Sequence, residues 1–149
     1  MKQRILAILL SLTMIFTLVP TAMAEGEMAE APAVTKVAKV GDDEYDTLAA
    51  AIDAATAGQT VKLVANTAED IKISAGKDIT LDLGNSKLTN KSGDTITVEL
   101  GATLTVTGNG ESADEAGSAG TVDNVTNGKA DIVNNGTVIL NGGWYLRSE

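Results

Sequence analysis

The sequence predicts an all-β fold, a parallel β-helix (solenoid) of about three coils with an N-terminal capping α-helix. Three observations lead there. Short runs of alternating Thr or Asp and aliphatic residues, each ending in a turn, recur at Lys77–Asn85 (KDITLDLGN), Ala102–Asn109 (ATLTVTGN) and Gly136–Gly143 (GTVILNGG). Two further rows of short strands accompany them at nearly the same period. One amphipathic helix precedes them all.

The chain begins with what reads as an address. Lys2 and Arg4 form a positive n-region, Ile5 to Val19 is almost wholly apolar, Pro20 breaks the run and Ala22-Met23-Ala24 is a small-x-small cleavage site. Residues 1–24 are therefore expected to be a signal peptide, with an uncleaved anchor as the alternative reading, and the protein to be extracellular or on the cell surface. No later apolar run is long enough to span a bilayer, so no membrane contact is expected after cleavage. All 20 acidic residues but only nine of the 11 basic ones lie beyond the signal segment, leaving 9 − 20 = −11. An acidic surface of that size repels phosphate backbones and argues against nucleic acid as a partner. The absence of cysteine excludes disulfides, thiol catalysis and an acylated lipoprotein, and the absence of histidine removes the usual neutral-pH proton shuttle. Beyond the signal segment the only aromatic residues are Tyr45, Trp144 and Tyr145. Val, Ile, Leu, Thr and Gly take their place, which suits thin stacked strands.

In chain order, residues 25–33 are Ala/Glu/Pro-rich and read as a flexible linker, and residues 34–149 as the β-helix domain. Val34 to Val40 alternates as a first strand. Gly41-Asp42-Asp43-Glu44 is turn chemistry. A helix follows at about Thr47 to Ala57, with Asp46 as N-cap, Leu48, Ala51, Ile52 and Ala55 on one face, and Gly58 at its left-handed end. Ten short strands then fill Thr60–Ala65, Asp70–Ser74, Asp78–Leu83, Lys87–Asn90, Thr95–Leu100, Thr103–Thr107, Thr121–Val125, Asp131–Asn134, Thr137–Asn141 and Trp144–Arg147.

The strands fall into three rows. One aligns Leu81, Leu104 and Val138, another Ile71, Ile96 and Ile132, and the third Leu88, Val122 and the Trp144–Leu146 strand. The spacing lengthens by about ten residues across Gly110–Gly120, an acidic Gly/Ser loop, and is otherwise near two dozen. Alternation points Leu81, Leu104 and Val138 inward, with Leu83, Val106 and Leu140 as a second inward column. Asn134 falls at an inward position and Ile139 at an outward one, and the turn asparagines do not align, so no asparagine ladder is expected. An antiparallel meander or sandwich remains the alternative, because Asn-Gly pairs at 109–110, 127–128, 135–136 and 141–142 would serve hairpins.

The stretch Tyr45–Asn66, YDTLAAAIDAATAGQTVKLVAN, resembles the opening segment of pectate-lyase-like right-handed β-helices, in which a short Ala-rich helix caps the first coil and a Gly-x-Thr-Val strand follows. Thr95–Gly110 and Asn135–Tyr145 are similar to coils of adhesin-like surface proteins secreted by Gram-positive bacteria. The resemblance covers about Val40 to the end and implies a right-handed parallel β-helix. It is weak for function, because one fold hosts many activities. The family's lyases use an acidic calcium cluster and an Arg or Lys base; the related polygalacturonases use clustered aspartates and a histidine. Beyond the signal segment this chain has one arginine, Arg147, and no histidine, so no catalytic residue carries over.

Asp42, Asp43, Glu44 and Asp46 form the densest carboxylate cluster and are weak candidates for calcium, the only cofactor considered. The run lacks the alternation and Gly of a calcium loop, which favours a turn plus helix cap. Glu111, Asp114 and Glu115 lie in the 110–120 loop, where a ligand site or a solvated excursion is expected. Trp144 and Tyr145 face opposite sides of a strand; one can stack on a sugar while the other closes the core, or both can cover the end of the stack. Asp82, Glu99 and Asp131 are outward carboxylates read as surface charge. The expected function is a non-enzymatic, secreted or cell-surface module with a structural or adhesive role, whose partner is an extracellular glycan or another protein at an open C-terminal coil. The alternative is the N-terminal part of a carbohydrate-active β-helix, lyase- or hydrolase-like, whose catalytic coils lie beyond residue 149, the sequence being truncated there.

Overall fold

The computed structural model describes residues 35–110 and 119–148. Residues 1–34, 111–118 and 149, and with them the expected signal peptide and linker and the candidates Glu111, Asp114 and Glu115, lie outside the described residues.

Two short strands, β1 (Ala38–Val40) and β2 (Asp43–Tyr45), form an antiparallel hairpin closed by Gly41 and Asp42. Helix α1 (Leu48–Ala54) follows. The chain then runs through β3 (Thr60–Leu63), β4 (Thr67–Ala68), β5 (Ile71–Ile73), β6 (Asp78–Asp82), β7 (Lys87–Thr89), β8 (Ile96–Val98), β9 (Thr103–Gly108), β10 (Thr121–Asn124), β11 (Ile132–Asn134), β12 (Thr137–Gly142) and β13 (Trp144–Arg147). These strands make a six-stranded sheet ordered β12-β9-β6-β3-β1-β2, a four-stranded sheet β13-β10-β7-β4 and a three-stranded sheet β11-β8-β5. Every pairing is parallel except those of β1 with β2 and with β3. From β3 onward the chain visits the six-, four- and three-stranded sheets in strict rotation. The antiparallel meander is thereby overturned. Of the described strands, β2 and β4 escape the sequence pattern, since neither carries alternating aliphatic residues.

Parallel register stacks like side chains. Val61 lies beside Leu81, Leu81 beside Val106 and Val106 beside Leu140. Ile71, Ile96 and Ile132 form a second column, and Leu88, Val122 and Tyr145 a third. The expected pairing of Leu81 with Leu104 is wrong by two residues: Leu104 pairs with Ile79, a spacing of 104 − 79 = 25, and then with Val138 as expected. A slip of two keeps every side chain on its face, so Leu81, Leu83, Leu104 and Val106 are buried as expected although their partners differ; Val138 is only partly covered and Leu140 is exposed. Asn134 does sit beside Val98, but in the last strand of its sheet, where it is exposed and its Oδ1 accepts the Gly136 N–H at 2.9 Å. Each fully buried Leu, Ile or Val in these columns contributes about 1.5–3 kcal/mol over leaving it exposed.

Helix α1 is seven residues long, too short to stand alone in water. Its Leu48, Ala51 and Ile52 are buried, and it packs against β1, β2, β3 and β5. Its N-cap is Thr47, not Asp46: the Thr47 hydroxyl accepts the Ala50 N–H at 3.1 Å, while Asp46 pairs with Lys36 at 2.5 Å. Glu69 accepts the Leu48 and Ala49 N–H groups at 2.8 and 3.0 Å. At the other end the Lys77 ammonium donates to the carbonyls of Ile52, Asp53 and Ala55 at 2.8, 2.8 and 2.7 Å. A negative group at the N-terminus and a positive one at the C-terminus both oppose the helix dipole. The helix stops before the expected Ala57, at the carbonyls Lys77 gathers, and Gly58, left-handed at φ 80°, shapes the turn beyond.

Two outcomes follow from this packing. Lys77→Met leaves three helix carbonyls without their ammonium and lowers stability by about 1–3 kcal/mol in urea unfolding. Gly136→Ala is comparably costly, about 1–3 kcal/mol, because a Cβ there would lie 2.4 Å from the Glu99 carbonyl and 2.5 Å from that of Ala102.

Candidate functional site

The sheets present outward rows that differ in kind. On the four-stranded sheet, Lys87, Thr121 and Trp144 share one register position, and Thr89, Asp123 and Leu146 another. Here β10 is buried on both faces. Asp123 is wholly buried, with Oδ2 2.6 Å from Lys87 Nζ and Oδ1 accepting the Ser148 N–H at 3.0 Å. Oδ2 and Lys87 form a close ion pair without a well-directed hydrogen bond. Burial alone would raise the Asp123 pKa; Lys87 and Ser148 outweigh it, and the carboxyl stands below the ordinary value of 3.8.

Trp144 and Tyr145 do face opposite ways. Tyr145 lies over Val122 against the core, its hydroxyl donates to the Gly142 carbonyl at 3.2 Å, and burial pushes its pKa up to about 12. Trp144 points outward but is tucked against the chain: a Cβ on Gly110 would come within 3.2 Å of its Nε1 and 2.2 Å of Ala119 Cβ. That Nε1 is buried and has no hydrogen-bond partner among the described residues. Trp144 thus stands where the chain leaves for, and returns from, the segment holding Glu111, Asp114 and Glu115, which lies outside the described residues.

The carboxylate cluster is dispersed. Glu44 pairs with Lys39 at 2.8 Å and Asp46 with Lys36, while Asp42 and Asp43 are exposed. Among the described residues no three acidic side chains converge as a metal site would require. An open cleft of about 510 Å³ lies between Thr47, Thr67, Glu69, Asp70 and Lys91. Its acids hold backbone: Glu69 takes the helix N-terminus, and Asp70 accepts the N–H groups of Lys91, Ser92 and Gly93 at 2.7, 3.2 and 2.9 Å. Those contacts outweigh the partial burial of Asp70 and lower its pKa. Asp82 caps its own turn through the Gly84 N–H at 2.9 Å, Glu99 holds Lys72 and the Ala75 N–H at 3.1 and 3.3 Å, and Asp131 accepts the Asn124 N–H at 2.8 Å.

Asparagine pairs, not expected from the sequence, fix two corners. Asn109 Nδ2 donates to Asn85 Oδ1 at 2.6 Å. Asn90 and Asn124 are buried, both donate to the Gly93 carbonyl, and Asn124 also reaches Thr95 Oγ1 and the Ala130 carbonyl at 3.1 and 2.9 Å. The Leu88–Val122 spacing, 122 − 88 = 34, also joins Asn90 to Asn124, so the signal was present.

The six-stranded sheet presents a different outer row. Thr60, Thr80 and Thr105 lie side by side, as do Thr103 and Thr137, and Thr80 and Thr105 are half-buried. Repeated hydroxyls at strand spacing, with Asp78 beside Thr103, offer many weak, equivalent contacts to an extended partner. Comparison with protein-family models, with curated proteins and with solved structures found no match.

The carboxylates give the chain a signed response to acid. Asp123 and Asp70 have lowered pKa values, so the stability they add is whole well above 3.8 and is lost as pH falls through and below it. Asp131 is raised, chiefly by burial, so its charge costs stability near neutrality and that cost is relieved on acidification. Asp123→Asn is therefore expected to lower stability at pH 7 by about 1–3 kcal/mol and to flatten the acid limb of the unfolding midpoint. Asp131→Asn, which keeps an acceptor for the Asn124 N–H, is expected to hold or raise it.

Proposed function

We propose that the chain is a secreted or cell-surface module, built as a right-handed parallel β-helix, with a structural or adhesive and non-enzymatic role. The rotation of strands through three sheets and the resemblance of the Tyr45–Asn66 segment support the architecture. The observation that carries the functional reading is the work the acids do. Glu69, Asp70, Asp82, Glu99 and Asp131 each accept a backbone N–H, and Asp123 accepts that of Ser148 while pairing with Lys87. Side chains so engaged are turn and ladder fasteners, whereas a general acid or base must face a substrate. The threonine rows of the six-stranded sheet are the surface for an extended glycan or protein.

The test uses polygalacturonate gel with calcium and insoluble peptidoglycan as probes. The purified chain is expected to be retained on at least one of them without releasing soluble sugar. Replacing Thr80 and Thr105 together by Val, which removes both hydroxyls without adding charge, should weaken that retention by about tenfold with an unchanged circular dichroism spectrum. Release of unsaturated uronates would overturn the reading in favour of a lyase, and equal retention of the double variant would remove the threonine face from it.

A further inference from the structure

Asparagine is followed by glycine at 109–110, 127–128, 135–136 and 141–142. Such a step carries a latent reaction, in which the glycine nitrogen attacks the asparagine side-chain carbonyl, because no side chain on the glycine hinders the approach. The reaction needs a peptide free to rotate and a glycine N–H free to lose its proton. The fold treats the four steps differently.

Three of them are held. The Asn109 carbonyl accepts the Gly120 N–H at 3.0 Å, the Asn109 N–H donates to the Gly84 carbonyl at 2.9 Å, and the Asn109 side-chain amide is bound to Asn85. The Gly136 N–H donates to Asn134 Oδ1 at 2.9 Å, and Gly136 is wedged against the Glu99 and Ala102 carbonyls. Asn141 and Gly142 are rungs of the ladder between β12 and β9, beside Thr107 and Gly108. Asn127–Gly128 is unlike these. It forms the exposed tip of the turn between β10 and β11, closed by the Lys129 N–H on the Thr126 carbonyl at 3.2 Å. Gly128 supplies the left-handed φ, 78°, at the third position of that turn, and a Cβ on it would meet nothing within 4 Å. Among the described residues neither the Asn127 side chain nor the Gly128 N–H has a hydrogen-bond partner.

We propose that Asn127 is a site of spontaneous deamidation, the step of the four that the native fold leaves reactive. The Gly128 nitrogen gives its proton to hydroxide and bonds to Asn127 Cγ. The Cγ–Nδ2 bond breaks, the amide nitrogen leaves as ammonia, and a succinimide ring remains. Water then opens the ring at either carbonyl, to aspartate or to isoaspartate. Nothing is oxidised or reduced, and water is the only co-reactant. Each event adds a negative charge, and the isoaspartyl product adds a carbon to the main chain of the turn. The flank confines the change: the Thr126 N–H donates to Asn124 Oδ1 at 2.9 Å and Thr126 Oγ1 accepts from Asn90 Nδ2 at 2.6 Å, tying the turn to two buried asparagines.

The test incubates the purified chain for weeks in mildly alkaline buffer and follows each asparagine by peptide mass spectrometry and isoaspartyl methyltransferase labelling. The three held sites react only through local opening, whose free energy divides their rates, so Asn127 is expected to convert more than about tenfold faster than any of them. In unfolding concentrations of urea all four steps share the same flanking glycine, and that lead is expected to disappear. Asn127→Gln is expected to stop the early acidic drift without altering the circular dichroism spectrum. An Asn127 that stays intact in the folded chain overturns the proposal, as does equal conversion of all four sites or an undiminished drift in the variant. A lead that persists in urea assigns the preference to local sequence instead of the fold, and overturns it too.

Discussion

The structure depends on one constraint: strands must stack in parallel so that each inward side chain finds an aliphatic neighbour above and below it. Val61–Leu81–Val106 and Ile71–Ile96–Ile132 are the clearest expressions of it. A core made this way is a few aliphatic columns wide, so it needs no large side chains, and Tyr145 is the aromatic ring over the end of one column. It also leaves strands of only two to six residues, each held less by its own length than by its two ladder neighbours. A change in one circuit is therefore felt in the next, and the fold is sensitive wherever backbones of successive circuits touch.

Short strands demand many turns, and turns leave backbone groups unpaired. The polar residues answer that demand. Asp70 gathers three successive N–H groups, Lys77 three carbonyls, and Asn124 a whole corner. Several of these contacts link residues 20 to 36 positions apart, one circuit on, so the side chains fasten circuits to each other as well as closing turns. This is why a strongly acidic chain is not simply an acidic surface. Asp123 shows the limit of the device: it is kept charged in full burial by Lys87 and Ser148, whereas Asp131, eight positions on, has too few partners to offset its desolvation.

Much of this was legible in the sequence because period and alternation are one-dimensional signals. Strand positions from Thr60 onward except β4, most inward faces, the helix and the Ile71–Ile96–Ile132 column could be read from spacing. Partner identity was less secure: a leucine matched to a leucine is as good a pattern as an isoleucine matched to a leucine, and alternation cannot separate registers two apart. Asn85 and Asn109, 24 residues apart, fall between the expected offset of 23 and the observed 25, so strand alignment alone does not bring them together. Thr47 displaced Asp46 as the cap because Lys36, ten residues back along the chain, claimed the carboxylate, and a pairing of that kind has no periodic signature. The roles of Glu69 and Lys77 were invisible for the same reason: their partners are fixed by the fold, not by local spacing.

The lengthened circuit is the best evidence that register, not loop length, governs this fold. Between β6 and β9 the spacing is 104 − 79 = 25, and between β9 and β12 it is 138 − 104 = 34, yet Leu104 and Val138 remain ladder partners and so do Leu88 and Val122. The extra residues leave and rejoin at one corner, where backbones of successive circuits crowd together: a Cβ on Gly108 would lie 3.2 Å from Gly143 Cα and 3.4 Å from Gly120 Cα. A Cβ on Gly120 would lie 2.6 Å from Leu83 Cβ. Small residues at that corner let the chain close the circuit immediately on return, so the ladder resumes in phase whatever the excursion does. Trp144, outward and packed against Gly110, stands at the junction of the two. Its side chain is positioned by the ladder that holds β13 to β10.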